Sequence, residues 1–248
     1  MPTAVLTSQT GFKSFYCNDC TDKLDYYTSE WKKLGFQPDG IYTGFLSSEK
    51  QVDKILDFIN SFETENTLVL VDPVMGDGGR TYSLFTDALA CKMKKLVTVA
   101  DVITPNLTEC CILCDVDYCE FIKNADKPDF MDKIAELGKD LLNRYGVKIV
   151  IITGIEHKDI DGTMYVQNLI ASKDEVFSVS CKKIGGSYSG TGDLFASVMF
   201  SGLLRGDTLR DTVSLAVKFI ETSLRDTVAL GIDRNEGIEF EKHLKILL

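Results

Sequence analysis

The chain has 248 residues, a formal net charge of -10 and 44% hydrophobic residues. This length and apolar content suffice for one large core, so a single domain over residues 1–248 is expected. The acidic charge argues against nucleic acid or an anionic membrane as a partner, because both bind basic surfaces. The longest apolar stretches are strand-sized and no apolar leader opens the chain, so we expect a cytoplasmic protein.

Eight cysteines raise the question of a metal or redox role. Cys17 and Cys20 form one C-x-x-C pair, and Cys111 and Cys114 form another, which together offer four thiolates to zinc. The pairs lie far apart in sequence, and Cys110 joins the second pair at helical spacing among apolar neighbours, where cysteine acts as a small hydrophobe. The sequence therefore favours free thiols over a zinc site or a disulfide framework.

Strands and helices alternate in the first third of the chain. Residues 39–43 are predicted to form a strand, and Ser48 with Gln51 forms a capping box before an apolar stripe at helical spacing that reaches Phe62. Residues 67–71 are predicted to form the next strand. A strand, a helix and a strand in this order are typical of parallel pairing within one sheet.

A glycine-rich segment follows the second strand. Residues 72–80 read DPVMGDGGR, and a proline with three glycines predicts irregular backbone rather than a continuing strand. The segment lacks the Gly-Lys-Ser/Thr ending of a Walker A loop and the glycine spacing of a dinucleotide fingerprint. A helix is predicted next, over residues 83–95.

The alternation continues towards the C-terminus. The predicted elements are an extended segment over 101–104, a helix opened by Pro105 and running through Cys114, a helix over 130–145 closed by Gly146, a strand over 148–153, an antiparallel pair over 163–168 and 175–181, and helical structure from Asp193 almost to the end. This pattern implies an α/β fold with a mostly parallel central sheet covered by helices.

Polar side chains follow the predicted strands where ligands collect in open α/β sheets. Asp72 follows one strand, Thr104 and Asn106 follow another with Glu109 one turn later, and Thr153 ends a third. Two carboxylates beside a phosphate pocket suit Mg²⁺, which prefers oxygen ligands and bridges phosphate oxygens. We therefore predict a metal-phosphate site with Asp72 and Glu109 as metal ligands. Alternatively, each of these residues braces its own turn or helix.

Residues 189–193, SGTGD, run directly into an apolar helical stretch. A turn of small residues that opens a helix directs free backbone N–H groups at one spot, where the helix dipole favours negative charge. Gly190, Thr191 and Gly192 would form this anion hole, and Asp193 would add a base beside it. Phosphoryl transfer to a hydroxyl needs such an arrangement, although a capped helix start is the simpler alternative.

Five segments, in order along the chain, resemble those of the pyridoxal kinase family, which belongs to the ribokinase-like superfamily. They are residues 2–6 (PTAVL), 42–46 (YTGFL), 72–77 (DPVMGD), 103–106 (ITPN) with Glu109, and 189–193 (SGTGD). The last segment is shared across the superfamily, whereas the first three are closer to the vitamin B6 kinases. The resemblance implies a ribokinase-like three-layer α/β/α sandwich.

The resemblance also implies a reaction. It implies ATP-dependent transfer of a phosphoryl group to the 5′-hydroxyl of pyridoxal, pyridoxamine or pyridoxine, with Mg²⁺, in a homodimer; whether a monovalent cation is also needed stays open. Hydroxymethylpyrimidine kinase is the nearest alternative, because it shares the last motif and differs around Thr10 and Phe45. A non-catalytic pseudokinase that binds a nucleotide or a B6 compound is the second alternative.

The family's site residues map onto this chain one by one. By role, the matches are Asp193 for the catalytic base, Gly190, Thr191 and Gly192 for the anion hole, Asp72 and Glu109 for the metal and phosphates, Thr104, Asn106 and Thr153 for the nucleotide side, Tyr82 for a lid aromatic, and Thr10 and Phe45 for the pyridine substrate. Phe45 stands where tyrosine is frequent, so it keeps ring stacking and loses a hydroxyl. Tyr82 implies that residues 76–80 close over ATP and exclude water.

The N-terminus departs from the family pattern. Family members usually begin with a strand and a helix before the segment equivalent to Pro2, whereas this sequence starts at Met1. Without that strand, we expect its neighbour to expose an unpaired edge. The favoured explanation is a misplaced start or a shortened sequence; the alternatives are a dimer partner that covers the gap and a kinase that no longer turns over.

Overall fold

A computed structural model of the chain describes residues 1–82 and 85–248. The strands are β1 (Ala4–Leu6), β2 (Cys17–Asp19), β3 (Gly40–Thr43), β4 (Leu68–Val71), β5 (Gly76–Asp77), β6 (Arg80–Thr81), β7 (Val102–Ile103), β8 (Ile149–Lys158), β9 (Met164–Ser172) and β10 (Val176–Lys182). The α-helices are α1 (Leu24–Lys33), α2 (Glu49–Phe62), α3 (Asp87–Val97), α4 (Leu107–Cys114), α5 (Tyr118–Ile122), α6 (Phe130–Tyr145), α7 (Thr191–Arg205) and α8 (Leu209–Leu230). Short 3₁₀ helices cover Thr21–Lys23, Arg234–Glu236 and Glu241–Leu247.

A six-stranded sheet in the order β10-β9-β8-β7-β4-β3 organises the chain. Strands β3, β4, β7 and β8 pair in parallel, with Thr43 opposite Val71, Val71 opposite Ile103 and Val102 opposite Ile149. The connections from β8 to β9 and from β9 to β10 are too short for a parallel crossover, so these strands are antiparallel. The predicted α/β fold with a mostly parallel central sheet is confirmed.

The chain divides into two compact units. Residues 1–7, 16–152 and 169–177 form the first unit, and residues 8–15, 153–168 and 178–248 form the second. Strands β8, β9 and β10 each contribute residues to both units. The single domain over residues 1–248 stays a prediction.

The core of the first unit forms around its buried parallel strands. Val69, Leu70 and Val71 of β4 are all fully buried, as is typical of strands covered on both faces. Helix α6 packs closely here, since a Cβ at Gly138 would lie 3.2 Å from the Cβ of Ala171. An alanine at this position would require the helix or Ala171 to shift by a few tenths of an ångström.

The predicted capping box at the start of α2 forms only in part. The Ser48 side chain accepts a hydrogen bond from the N–H of Gln51 at 3.4 Å, as predicted. The Gln51 Oε1 accepts from the N–H of Ser47 at 2.8 Å instead of from that of Ser48. Gln51 is fully buried, and its amide donates to the carbonyl of Thr3 at 2.7 Å, so it ties the helix to the residue just before β1.

Two predicted helix starts are corrected by the structure. Asn106 caps α4, so Pro105 precedes the cap and is not the first helical residue. Thr86 caps α3, whose first residue is Asp87, because the Thr86 hydroxyl accepts a backbone hydrogen bond from Leu89 at 3.0 Å. Residues 83 and 84 of the predicted helix lie outside the described residues. The predicted helix over 130–145, closed by Gly146, is confirmed.

The second unit is mainly helical, as predicted from Asp193 onwards. Helices α7 and α8 end at Gly206 and Gly231, which both adopt the left-handed conformation that stops a helix. A Cβ on Gly202 would lie 2.7 Å from the Thr212 side chain, so this glycine allows α7 and α8 to approach closely. Within residues 1–82 and 85–248, no helix combines the length and apolar character needed to cross a membrane.

Candidate functional site

Three polar side chains lie where parallel strands of the first unit end. Thr43 ends β3, Asp72 follows β4 and Thr104 follows β7. The N–H of Asp72 donates to the Thr43 carbonyl at 2.9 Å, and the N–H of Thr104 donates to the Val71 carbonyl at 3.3 Å. The structure thus brings Asp72 and Thr104 to adjacent positions at one edge of the sheet, as the strand order requires.

Two of these side chains have buried hydroxyl groups without a protein partner. Within the described part of the chain, neither Thr43 Oγ1 nor Thr104 Oγ1 has a hydrogen bond, although both residues are buried. A buried hydroxyl without a partner is unfavourable, so a bound polar group at this edge would stabilise it. Thr43 was not predicted as a site residue, although its position at the end of a predicted strand was the available signal.

Glu109 reaches this edge from the first turn of α4. Its Oε2 accepts from the N–H of Asn106 at 2.8 Å, and Asn106 Oδ1 accepts from the N–H of Glu109 at 3.0 Å, which completes a capping box. Its Oε1 accepts from the N–H of Met75 at 2.9 Å. Glu109 is only 4% exposed, so a buried carboxylate connects the helix to the segment that follows Asp72.

Burial raises the pKa of the Glu109 carboxyl well above its ordinary value. The negative charge of Asp72 raises this pKa further, whereas backbone N–H donors from Met75, Asn106 and Gly76 lower it. Desolvation and repulsion prevail because the side chain is buried beside a second carboxylate. A cation at this edge would therefore stabilise the ionised pair.

The carboxylates of Asp72 and Glu109 are oxygen ligands of the kind that Mg²⁺ prefers. Mg²⁺ is usually held by one or two carboxylates together with substrate phosphates and water. Both oxygens of Glu109 already accept backbone hydrogen bonds, whereas Asp72 is only partly buried. Within the described ranges, no group of three or more His, Cys, Asp or Glu side chains is arranged to hold a metal alone. The direct role of Glu109 as a ligand stays a prediction.

The glycine-rich segment forms a β-hairpin instead of the predicted irregular loop. Strands β5 and β6 pair antiparallel, with Gly76 opposite Thr81. Gly78 and Gly79 have φ values of 57° and 78°, which suit the tight two-residue turn of a hairpin. Successive glycines therefore allow regular structure here, because they accept the positive φ that other residues avoid.

Tyr82, the predicted lid aromatic, follows this hairpin. Its N–H donates to the carbonyl of Met75 at 3.0 Å, so the backbone closes the base of the hairpin. The Tyr82 side chain is 46% exposed. Closure of residues 76–80 over a nucleotide stays a prediction.

The turn before α7 in the second unit has the geometry of an uncapped helix start. Gly190 is the N-cap residue with φ 83° and offers no side-chain cap to the first-turn N–H groups. The Thr191 hydroxyl donates to the carbonyl of Tyr188 at 3.0 Å and so holds the turn. Gly192 and Asp193 are exposed in the first turn of the helix. Such a start can receive an anion, because first-turn N–H groups lack acceptors within the helix.

Thr153 and Thr10 also belong to the second unit. Thr153 is half-buried in β8, next to Gly154, whose N–H donates to Asn168 Oδ1 at 3.2 Å. Thr10 is exposed on the segment of residues 8–15. Their nucleotide and substrate roles stay predictions.

Phe45 lies in the first unit beside an apolar cavity of about 390 Å³. The lining includes Ile41, Leu46, Ile55 and Phe58. The Phe45 carbonyl accepts from the Thr3 hydroxyl at 3.2 Å, which fixes the backbone at this position. Phe45 is therefore placed against an apolar space, and its stacking on a substrate ring stays a prediction.

Comparison with known proteins identifies the family. The sequence model of phosphomethylpyrimidine kinase matches residues 31–237. A Schizosaccharomyces pombe protein provisionally named pyridoxal kinase is 29% identical over 171 residues, which cover 67% of this chain and 47% of that protein. The hydroxymethylpyrimidine/phosphomethylpyrimidine kinase of Staphylococcus aureus is 27% identical over 198 residues, which cover 79% of this chain and 66% of that protein. The chain thus spans about half to two thirds of the length of these relatives.

A solved structure agrees with both the sequence match and the fold. The crystal structure of a Bacteroides thetaiotaomicron protein, provisionally named phosphomethylpyrimidine kinase and determined in a crystal form with pyridoxal, is 37% identical to this chain. The two superimpose with a TM-score of 0.89 over 99% of this chain and 83% of that one. The chain therefore belongs to the phosphomethylpyrimidine kinase family, and its sequence is similar to that of a protein provisionally named pyridoxal kinase.

Proposed function

We propose that this protein transfers the γ-phosphoryl group of ATP to the 5′-hydroxyl of a B6 vitamer. The observation that carries the proposal is the Bacteroides relative, whose crystal form contains pyridoxal and which is 37% identical over 99% of this chain. The family match, which extends over residues 31–237, supports a phosphotransferase. Pyridoxal, pyridoxamine and pyridoxine are the proposed substrates.

Asp193 is the proposed base. It lies in the first turn of α7, where the positive end of the helix dipole favours an ionised carboxylate. An ionised carboxylate can accept the proton of the substrate hydroxyl as phosphoryl transfer proceeds. The N–H groups of Gly190, Thr191 and Gly192 are the proposed donors to the developing phosphate charge.

Asp72 and Glu109 are the proposed acids of the metal and phosphate side. When bound, Mg²⁺ would neutralise charge on the phosphate oxygens. We assign a direct carboxylate contact to Asp72, because it is only partly buried whereas Glu109 is buried. Glu109 would then hold the segment after Asp72 in place by accepting the hydrogen bond from the N–H of Met75.

The remaining predicted residues complete the proposal. Thr104, with its buried hydroxyl lacking a protein partner in the described chain, is the proposed contact to the nucleotide phosphates. The other proposed contacts are Asn106, Thr153 and Tyr82 for the nucleotide, and Phe45 and Thr10 for the pyridine ring. A homodimer is proposed from the family resemblance, and sedimentation equilibrium tests it.

Phosphorylation of hydroxymethylpyrimidine is the second candidate function. The Staphylococcus aureus relative bears the name of that activity and covers 79% of this chain. Both substrates are small aromatic nitrogen heterocycles with a hydroxymethyl group, so the same base and anion hole would serve either.

A competition assay separates the two candidates. Purified protein with Mg²⁺ and ATP is given equimolar pyridoxal and hydroxymethylpyrimidine, and both phosphorylated products are quantified by mass spectrometry. The proposal expects the pyridoxal product to exceed the pyrimidine product by tenfold or more, a discrimination of about 1.4 kcal/mol in transition-state free energy. A pyrimidine product in excess would transfer the assignment to the second candidate.

A further inference from the structure

Helix α4 holds the β5–β6 hairpin at its base through two side chains. The Asn106 amide donates to the Gly76 carbonyl at 2.7 Å, and Glu109 Oε1 accepts from the N–H of Met75 at 2.9 Å. Both contacts come from the first turn of the helix and reach the first residues of the hairpin. The base of the hairpin is therefore anchored by residues already assigned to the site.

A third contact fixes the tip of the hairpin, and it comes from a residue without an assigned role. The Thr108 hydroxyl accepts from the N–H of Gly79 at 2.9 Å, and Thr108 is only 4% exposed. Gly79 also packs against an aromatic ring, since a Cβ there would lie 2.5 Å from Tyr118 Cδ1. The Gly79 residue thus contacts both a hydroxyl and a ring.

We propose that Thr108 is a positioning residue that anchors the tip of the hairpin beside Asp72 in the chain without ligands. The link to catalysis rests on the proposed function, because that function places the hairpin on the nucleotide side. A hairpin anchored at base and tip presents a preformed surface, so nucleotide binding need not order it first.

Amide hydrogen exchange of the full chain without ligands tests the anchoring itself. T108V keeps the shape of the side chain but removes the acceptor, so exchange at Gly79 should accelerate about tenfold, as expected for the loss of one buried hydrogen bond. T108S retains the hydroxyl and should stay within about twofold of the wild type. Unchanged Gly79 exchange in T108V would overturn the anchoring.

Thr67 offers a matched control in the same unit. It is 6% exposed, and its hydroxyl accepts a backbone hydrogen bond from Thr64 at 3.1 Å, much as Thr108 accepts from Gly79. T67V should lower stability without altering exchange at Gly79. Faster Gly79 exchange in T67V to the same extent would show a general loosening of the unit and would also overturn the anchoring.

Steady-state kinetics test the link to catalysis separately. T108V should raise KM for ATP about threefold and leave kcat within about twofold, because only the fraction of molecules with an ordered hairpin binds well. T108S should restore the wild-type KM. If T108V accelerates amide exchange at Gly79 but leaves KM for ATP unchanged, the positioning role is overturned. If the wild type phosphorylates neither candidate substrate, the proposed function fails, whereas the exchange experiment still decides the anchoring.

Discussion

Glu109 is buried beside Asp72, and the charge of Asp72 disfavours ionisation of Glu109. Burial has the larger effect, so the pKa of Glu109 is raised in the folded chain mainly by desolvation. Two carboxyl groups held together in this way destabilise the protein when both are ionised. A cation that binds at the same edge relieves this repulsion, which links metal binding to stability.

This relationship predicts how stability depends on pH. Since the pKa of Glu109 is raised, the folded chain retains a proton that the unfolded chain has already lost above the ordinary carboxyl pKa. The contribution of Glu109 to the free energy of unfolding is therefore fully present below that ordinary pKa and is lost as the pH rises through the raised value. D72N removes the opposing charge, so the free energy of unfolding should fall less with rising pH in the variant than in the wild type.

Urea unfolding without divalent cations, from pH 4.5 to 8.5, measures this difference. Comparison of D72N with the wild type cancels the titration of groups outside the pair. If the free energy of unfolding depends on pH in the same way in both proteins, the coupling of Asp72 with Glu109 is contradicted.

D193N should abolish phosphorylation while nucleotide binding stays within about threefold of the wild type, because the amide cannot accept the hydroxyl proton but preserves the helix start. Turnover and ATP titration calorimetry measure the two effects. Asp211 provides the control: it occupies the equivalent first-turn position of α8, three residues after the cap Thr208. D211N should retain activity, and substantial turnover by D193N would remove Asp193 from the role of base.

The two glycines of the hairpin turn should respond differently to alanine. Both have positive φ, which costs about 1 kcal/mol for a residue with a Cβ. A Cβ at Gly78 meets open space, whereas one at Gly79 collides with the Tyr118 ring. G79A should thus lower the free energy of unfolding by about 1–3 kcal/mol more than G78A does, as measured by chemical denaturation. Equal losses would argue against the packing of the turn on Tyr118.

The cysteines of α4 should resist alkylation in the folded protein. Burial raises the pKa of Cys111 to about 11 and, with help from Asp140, that of Cys114 to about 12. Cys91 and Cys119 are exposed. At pH 8 iodoacetamide should modify Cys91 and Cys119 at least about tenfold faster than Cys111 and Cys114, because the thiolate is the reactive species. Peptide mass spectrometry reads the order of modification, and early labelling of Cys114 would contradict its burial.

The sequence predicts the elements that bury a regular apolar pattern. Helix α6 matches its predicted bounds because Ile134 and Leu141 repeat at helical spacing and Gly146 ends the helix. Helix α1 was not predicted, and within it only Leu24 is buried. Its Trp31 packs edge-on against Phe58, a long-range contact that local sequence does not reveal.

The sequence predicts the places of Asp72 and Thr104 because strand ends determine position, whereas their roles stay predictions. Asp72 and Thr104 lie at adjacent places because β4 and β7 are neighbours in the sheet. The role of Thr108 was missed, because it depends on a hydrogen bond to Gly79, 29 positions away in the sequence. That pairing requires the hairpin, which glycine content alone led us to predict as irregular.

Phosphorus NMR of the purified protein with Mg²⁺, ATP and pyridoxal tests the central claim most directly. Pyridoxal 5′-phosphate and ADP should appear in a one-to-one ratio, and neither should form when pyridoxal is omitted. Binding of pyridoxal and ATP without either product, or ADP formation that does not depend on pyridoxal, would contradict the proposed phosphoryl transfer.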